Sequence, residues 1–287
     1  MKLCNNDVSI IVISFKSKKN VKNLLSLIEN KFQIIIVENS KDLSLKDYYR
    51  EKDNITFTST NNIGFGAAIN HASKFVSSKY FFVLNPDLSK ISENFIKDFM
   101  NFAGKLQDNF GVLGPRYGNL ENDKSLIQSD KKYNFKKVKC ISGAAMFFLK
   151  KSFDFINGFD EKIFLYFEEN DLCRRMVKNN KTIYQINSTT IDHNRGNSFD
   201  SNNIKEIEAM KLNSIWHFAW SKFYYLKKNY TYIFALILVF PMLIRSIFKI
   251  FYNYIFNNKK DLKKYKFRLS GLINSILLKK SYKRPNL

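Results

Sequence analysis

The sequence predicts an open α/β sheet flanked by helices, followed by a helical segment of different character. Three observations predict it. Most short runs in the first half are predominantly apolar instead of alternating, as strands buried on both faces of a parallel sheet are. Stretches of helical spacing separate those runs. Beyond about Ser201 the composition turns aromatic and basic, which marks the C-terminal part as an appendage.

The first strand is expected over Val8 to Ser14 (VSIIVIS), with others at Ile34 to Glu38, Ile55 to Thr58 and Tyr80 to Leu84 (YFFVL). Helices are expected between them, near Lys18 to Glu29, Leu43 to Arg50 and Gly66 to Ser77. In open α/β sheets ligands bind beyond the carboxyl ends of the strands. The residues that follow these runs are Ser14 to Lys16, Glu38 to Ser40, Asn61 to Phe65 and Asn85 to Asp87, all polar or glycine-containing. A further strand is expected over Val138 to Leu149, where Ser142, Gly143, Ala144 and Ala145 permit close approach. A Gly158-Phe159-Asp160 turn then leads to an acidic helix start at Phe167 to Asp171, and a last strand over Thr182 to Ile186 precedes His193.

A helix is expected to run to Asn229, carrying Trp216 and Trp220. The apolar run Tyr232 to Ile244 reaches only to Arg245 and contains Pro241. That is shorter than the roughly 20 residues a spanning helix needs, so interfacial or re-entrant seating is expected. The expected division is a catalytic part over 1–221 and a basic, aromatic, membrane-associated tail over 222–287.

Lys and Arg number 47 against 25 Asp and Glu, a net charge of +22. Such an excess calls for a polyanionic partner: nucleic acid, an anionic bilayer or phosphorylated ligands. Position decides between them. Lys249, Lys259, Lys260, Lys263, Lys264, Lys266, Arg268, Lys279, Lys280, Lys283 and Arg284 stand near the end of the chain against Asp261 alone. That is the layout of a polybasic membrane-surface segment. No nucleic-acid-binding module is legible, so no nucleic acid is expected as partner. Cys4, Cys140 and Cys173 form no CxxC pair, which excludes a disulfide framework and a zinc knuckle and fits a reduced compartment. The N-terminal apolar run ends by Phe15 without a cleavage site, so no secretory signal is expected.

Four segments can carry chemistry. Asn85-Pro86-Asp87 ends a very apolar strand, where Asp87 is placed to bind a hard divalent cation. Mg²⁺ or Mn²⁺ needs only one or two carboxylates beside ligand phosphates. Phe167-Glu168-Glu169-Asn170-Asp171 opens a helix with three carboxylates. The helix dipole alone can account for them. Neighbouring helical residues point about 100° apart, however, so one acid can turn inward and acquire a raised pKa suited to a general base. His193, in a polar loop after a strand, can offer a neutral imidazole to the same metal. His71 and His217 have no such setting and read as structural. Asn61-Asn62-Ile63-Gly64-Phe65-Gly66 is not GxGxxG and lacks a P-loop lysine, yet its amides at a helix start can receive a diphosphate.

Read in order, these segments resemble the glycosyltransferase family 2 proteins, and within them the rhamnosyltransferase-like subgroup of bacterial polysaccharide assembly. The resemblance covers about Val8 to Ser198. It rests on Val37-Glu38-Asn39-Ser40, Asn62-Ile63-Gly64-Phe65, Leu84-Asn85-Pro86-Asp87, Ser142-Gly143-Ala144, Gly158-Phe159-Asp160-Glu161, Phe164-Leu165-Tyr166-Phe167-Glu168 and Asp171-Leu172-Cys173-Arg174-Arg175. It implies a GT-A fold, the Rossmann-like mixed sheet of nucleotide-diphospho-sugar transferases, and a metal-dependent, inverting transfer from a nucleoside-diphosphate sugar.

By the same resemblance Ser14, Phe15 and Glu38 hold the nucleotide base, and Asn62, Gly64, Asn85 and Gly143 line the donor site. Asp87 keeps the acid of the family's DxD motif, with His193 as a second metal ligand, and Glu169 is the candidate base, with Glu168 and Asp171 as alternatives. Many relatives carry Asp where Glu38 and Glu169 stand here. Donor choice is expected to depend on loops such as Asn119 to Lys137. The acceptor implied is lipid-linked or a glycan, at the cytoplasmic face of the cell membrane. Several spans and a QxxRW motif, which processive synthases carry, are absent from the sequence, so single-residue transfer is expected. Two other classes remain: a nucleotidyltransferase, which needs a glycine-rich loop near Ser14 to Lys19 where no glycine stands, and a non-enzymatic basic binder of membrane or nucleic acid.

Overall fold

The structure is a computed structural model and describes residues 4–28, 30–118, 134–194, 199–201 and 203–285. The chain divides into two compact units, one built from the chain up to Phe159 together with Glu169–Asp200, the other from Asp160–Glu168 with Ser201 onward.

In the first unit, β1 (Val8–Ser14), β2 (Gln33–Glu38), β3 (Ile55–Ser59) and β4 (Tyr80–Leu84) pair in parallel in the order β3-β2-β1-β4. α1 (Lys18–Leu25), α2 (Ser44–Tyr48) and α3 (Phe65–Ser73) connect them. Every residue of β1 and β4 is buried, as their largely apolar character requires. Side chains alternate between two cores. Ile10 and Val12 join α1 and α4 (Glu93–Lys105) on one face, while Ile11 and Ile13 meet α3, α5 (Lys150–Phe155) and α6 (Glu168–Lys178) on the other. Much of the high aromatic content fills the first face: the Phe82 ring lies 4.7 Å from that of Phe99 and 5.4 Å from that of Phe147.

Beyond β4 the sheet becomes mixed. β5 (Leu88–Ser89), β6 (Val112–Tyr117), β7 (Phe135–Val138), β8 (Ala145–Leu149) and β9 (Ile183–His193) complete nine strands among the described residues. β8 runs antiparallel to both β4 and β6, while β6 and β9 are parallel. The single strand expected over Val138 to Leu149 is two, β7 and β8, because the small-residue stretch Ser142 to Ala144 leaves the ladder. The last strand is longer than Thr182 to Ile186: β9 continues to His193, where it pairs antiparallel with β5.

The second unit contains α7 (Ile204–Asn229), α8 (Tyr232–Ile255) and α9 (Lys259–Ile276). Ala219 and Phe223 of α7, Ala235 and Val239 of α8 and Leu272 of α9 form its core. Gly271 is required there, because a Cβ would clash with the Trp216 backbone carbonyl. Residue 221, where the sequence placed the boundary, lies inside α7, and the second unit takes Asp160–Glu168 as well as the chain from Ser201 onward.

α8 corrects the reading of Tyr232 to Ile244 as a short, interrupted run. It is one helix of 24 residues with Pro241 inside, long and apolar enough to cross a membrane by length and composition. Proline removes one backbone hydrogen bond there, and Pro241 is exposed. His217 is buried and structural. Burial pushes its pKa down to about 3, and its ring lies 4.3 Å from that of Phe164.

Candidate active site

The site forms at the carboxyl ends of β1, β2 and β4. Ser14 and Glu38 are register partners at the last positions of β1 and β2. The Glu38 side chain is buried, and its Oε1 accepts from the Lys16 amide at 3.2 Å and from Ser40 Oγ at 2.5 Å. Burial raises its carboxyl above the ordinary range, against the opposing hydrogen bonds of Ser14, Ser40 and Lys16. Ser14 Oγ lies 3.0 Å from Ser17 Oγ. Glu38 therefore fixes the turn that presents Phe15.

The loop before α3 is built from Asn39. Its Oδ1 accepts from Thr60 Oγ1 at 2.8 Å and the Ile63 amide at 2.9 Å, and its Nδ2 donates to the Gly64 carbonyl at 3.3 Å. Asn62 is half-buried with φ 48°, and Gly64 caps α3 with φ 102°, a conformation that favours glycine. The amides that open α3 are thus aimed by a network anchored at the end of β2.

The Asn85 amide donates to the Ala144 carbonyl at 2.8 Å, tying the end of β4 to the small-residue stretch. Beside Ala144, Gly143 faces Phe65 and Glu169: a Cβ there would lie 3.5 Å from Phe65 Cε1 and 3.9 Å from Glu169 Cβ. The start of α3, the small residues and the acidic helix therefore meet. Tyr166 and Phe167, just before α6, both adopt left-handed φ, 67° and 68°. Two such non-glycine residues in succession store strain of the kind found at functional sites.

Among the three acids of that helix, geometry separates two. Asp171 is fully buried and its Oδ2 receives Arg175 Nε at 2.7 Å, while the same guanidinium donates to the Ile156 and Gly158 carbonyls at 2.7 and 2.6 Å. Asp171 is a structural anion that clamps the Gly158-Phe159 turn. Glu169 carries a carboxyl that burial holds above the ordinary value of 4.5. Glu168 is buried at the first position of α6.

Asp87 and His193, far apart in sequence, come together where β5 meets β9. Leu88 pairs with His193, the Asn194 amide donates to the Asp87 carbonyl at 3.1 Å, and His193 Nε2 lies 3.3 Å from Asp87 Oδ1. Asp87 is 5% exposed, and its Oδ1 is buried without a hydrogen-bond partner. An orphaned carboxylate oxygen beside an imidazole fits a divalent cation that takes its remaining ligands from a substrate. Among the described residues no group of three or more His, Cys, Asp or Glu side chains is arranged to hold a metal.

Two parts of the site were invisible in the sequence. Asp200 caps α1 from the far end of the unit: its Oδ2 accepts from the Lys19 amide at 2.6 Å, its Oδ1 from Asn20 Nδ2 at 3.2 Å, and its own amide donates to the Lys16 carbonyl at 2.9 Å. Phe199 stacks on Phe15 at 6.1 Å. The one local signal is that α1 has neither an acid in its first turn nor a side-chain cap of its own. Asp200→Ala is expected to destabilise the protein by about 1 kcal/mol, the worth of a helix cap, and to raise the KM for donor more than it lowers kcat; denaturant melts and steady-state kinetics check both. Cys140 and Cys173, which form no CxxC pair, are neighbours, Cys173 standing on α6: a hydrogen bond to Cys173 and then burial push the Cys140 thiol well up, and both thiols are free. Of the loop Asn119 to Lys137, residues 119–133 lie outside the described residues.

Comparison with known proteins bears on the fold and the family. The chain is 26% identical over 211 residues to the low-salt glycan biosynthesis hexosyltransferase Agl10 of Haloferax volcanii, covering 66% of this chain and 68% of that one. It is 27% identical over 201 residues to the rhamnosyltransferase WbbL of Escherichia coli K12, covering 59% and 76%. In structure it resembles residues 1–349 of S. aureus TarS, with a TM-score of 0.52 at 15% identity over 97% of this chain and 93% of that one, and it spans 39% of a longer TarS chain; at such identity the likeness is one of fold. Residues 9–159, more than half of the chain, match the sequence profile of glycosyl transferase family 2. The mixed sheet is thus a GT-A fold, and the chain belongs to glycosyl transferase family 2: it is a glycosyltransferase, neither a nucleotidyltransferase nor a non-enzymatic basic binder.

Proposed function

We propose that this enzyme moves a single sugar, rhamnose being the one its subgroup suggests, from a nucleoside-diphosphate donor to a lipid-linked or polysaccharide acceptor in cell-surface glycan assembly, with inversion at the anomeric carbon. The observation that carries this reading is the 3.3 Å approach of His193 Nε2 to the buried, orphaned Oδ1 of Asp87. Asp87 and His193 would hold Mg²⁺ or Mn²⁺, which supplies charge neutralisation for a departing nucleoside diphosphate. Ser14, Phe15 and Glu38 receive the base, and the amides opening α3 after Gly64 receive phosphate oxygens. Asn85 and Gly143 leave space for the sugar.

Glu169 takes the proton from the acceptor hydroxyl. Its desolvated carboxylate is a stronger base than an exposed glutamate. Attack on the face opposite the leaving group inverts the configuration through a transition state of oxocarbenium character. The names of Agl10 and WbbL support glycan assembly, and TarS, which shares the fold, has been crystallised with UDP-GlcNAc. The basic, aromatic C-terminal helices favour work at the cytoplasmic face of the cell membrane.

A thermal-shift screen of nucleotide sugars with and without Mn²⁺ tests this reading, since a bound donor raises stability by mass action. One nucleotide sugar should stabilise the protein only with the cation, and NMR of its product should give the inverted anomer. Stabilisation by none of them, or retention of configuration, sinks the proposal.

A further inference from the structure

We infer that α8 and α9 lie together in the plane of an anionic bilayer surface, α8 sunk by one face, and that α8 does not cross the membrane. This rests on the membrane reading above and specifies its geometry. Taken alone, α8 has the length to cross: 24 residues rise about 36 Å against a hydrocarbon core of about 30 Å. Two features of the unit oppose that course.

The first is the company α8 keeps. Three residues separate the end of α8 from the start of α9, which returns beside it: Tyr232 Oη, at the start of α8, donates to the Ile276 carbonyl at the end of α9 at 3.1 Å. Leu272 and Ile276 pack with Ala235, Val239 and Leu243. Whatever depth α8 reaches, α9 reaches with it. The first ten residues of α9 hold Lys259, Lys260, Lys263, Lys264, Lys266 and Arg268 against Asp261. Glu208 reaches Lys263 at 2.9 Å and Asp261 reaches Lys264 at 3.9 Å, which leaves a large net positive charge. Such a cluster is rare and costly at bilayer depth but favoured among anionic headgroups.

The second is how α8 divides around its axis. At about 100° per residue, the buried Ala235, Val239, Ser246 and Asn253 fall within about 40° of one line, the seam to the rest of the unit. The exposed Ile237, Phe240, Ile244, Phe248, Phe251 and Ile255 fall within about 40° of the line opposite. Arg245 and Lys249 flank the seam on one side. A helix apolar on the face away from its protein contact and cationic beside that contact suits an interface, with rings and branched chains among the acyl tails and ammonium groups at the phosphates. An apolar hollow of about 320 Å³, lined by Leu236, Val239, Leu243 and Ile276 among others, adjoins that face and has the character to take part of an acyl chain.

The test uses the full chain. Added to phosphatidylcholine vesicles with or without phosphatidylglycerol, it should float only with the anionic lipid. Lys260→Gln with Lys266→Gln should weaken binding ~10-fold or more. Phe248→Asp with Phe251→Asp should abolish it while the thermal midpoint and donor binding stay unchanged. A protease recognition sequence inserted after Asn257 should be cut in membrane vesicles whose cytoplasmic face is outward, without detergent. Membrane-bound protein protected there until detergent is added means that α8 crosses, which overturns this inference and leaves the membrane reading intact. A protein that binds no membrane, or a soluble dimer broken by Phe248→Asp that ignores lipid, overturns both.

Discussion

Glu169→Gln should lower kcat by about 10²–10⁴-fold, the usual worth of a general base, while donor affinity stays near its starting value. The same change should raise stability at neutral pH, and that second effect separates the base from a merely structural acid. The Glu169 carboxyl is held above the ordinary 4.5 by burial. A folded-state pKa above the unfolded one means that the folded protein binds the proton more tightly, so stability falls as pH rises through the window that begins near 4.5 and ends at the raised value. Glutamine carries no charge to desolvate. The variant should therefore melt above the parent at neutral pH, and the difference should vanish below the ordinary glutamate value. The acid limb of kcat should likewise lie above 4.5. A variant with full activity would move the role to Glu168, since Asp171 is committed to Arg175 at 2.7 Å.

Asp87→Asn should lower kcat/KM by about 10²–10³-fold, since a bound cation stabilises transition-state charge by several kcal/mol. The fold should tolerate it, because the substitution keeps size and shape at a position whose Oδ1 has no hydrogen bond to lose. The readout free of activity is binding: stabilisation by a nucleoside diphosphate should require Mn²⁺ or Mg²⁺ in the parent and gain nothing from either cation in the variant. Cation-dependent stabilisation that survives Asp87→Asn would remove the metal role from this residue. His193→Ala should weaken the cation requirement in the same assay.

The strands of the parallel half were legible because burial on both faces writes itself locally. β1 and β4 are buried at every position and apolar but for Ser9 and Ser14, and their ends are the expected ones, Ser14 and Leu84. The direction of β8 was not legible. An apolar run reads the same whichever way the chain passes, and only the pairing of Leu84 with Ala145 sets it antiparallel to β4. The end of α8 was misjudged for a related reason. Arg245 ends the apolar run and Pro241 disfavours a helix interior, but a helix supported by α7 and α9 along a seam of Ala235, Val239 and Ser246 continues past both.

By itself the sequence determined which residue types stand at the ends of which strands, and so the class of chemistry: carboxylates, a histidine and glycine-bearing turns following apolar runs. Only the tertiary structure decided which of them share a site. It set His193 against Asp87, placed Gly143 beside Glu169, tied Asp171 to Arg175 and brought Asp200 to cap α1. The physical reason is range: burial and helical or strand periodicity are set by neighbours a few residues away, whereas a hydrogen bond or an ion pair depends on a few ångströms between side chains that only the paired sheet and its packed helices bring together.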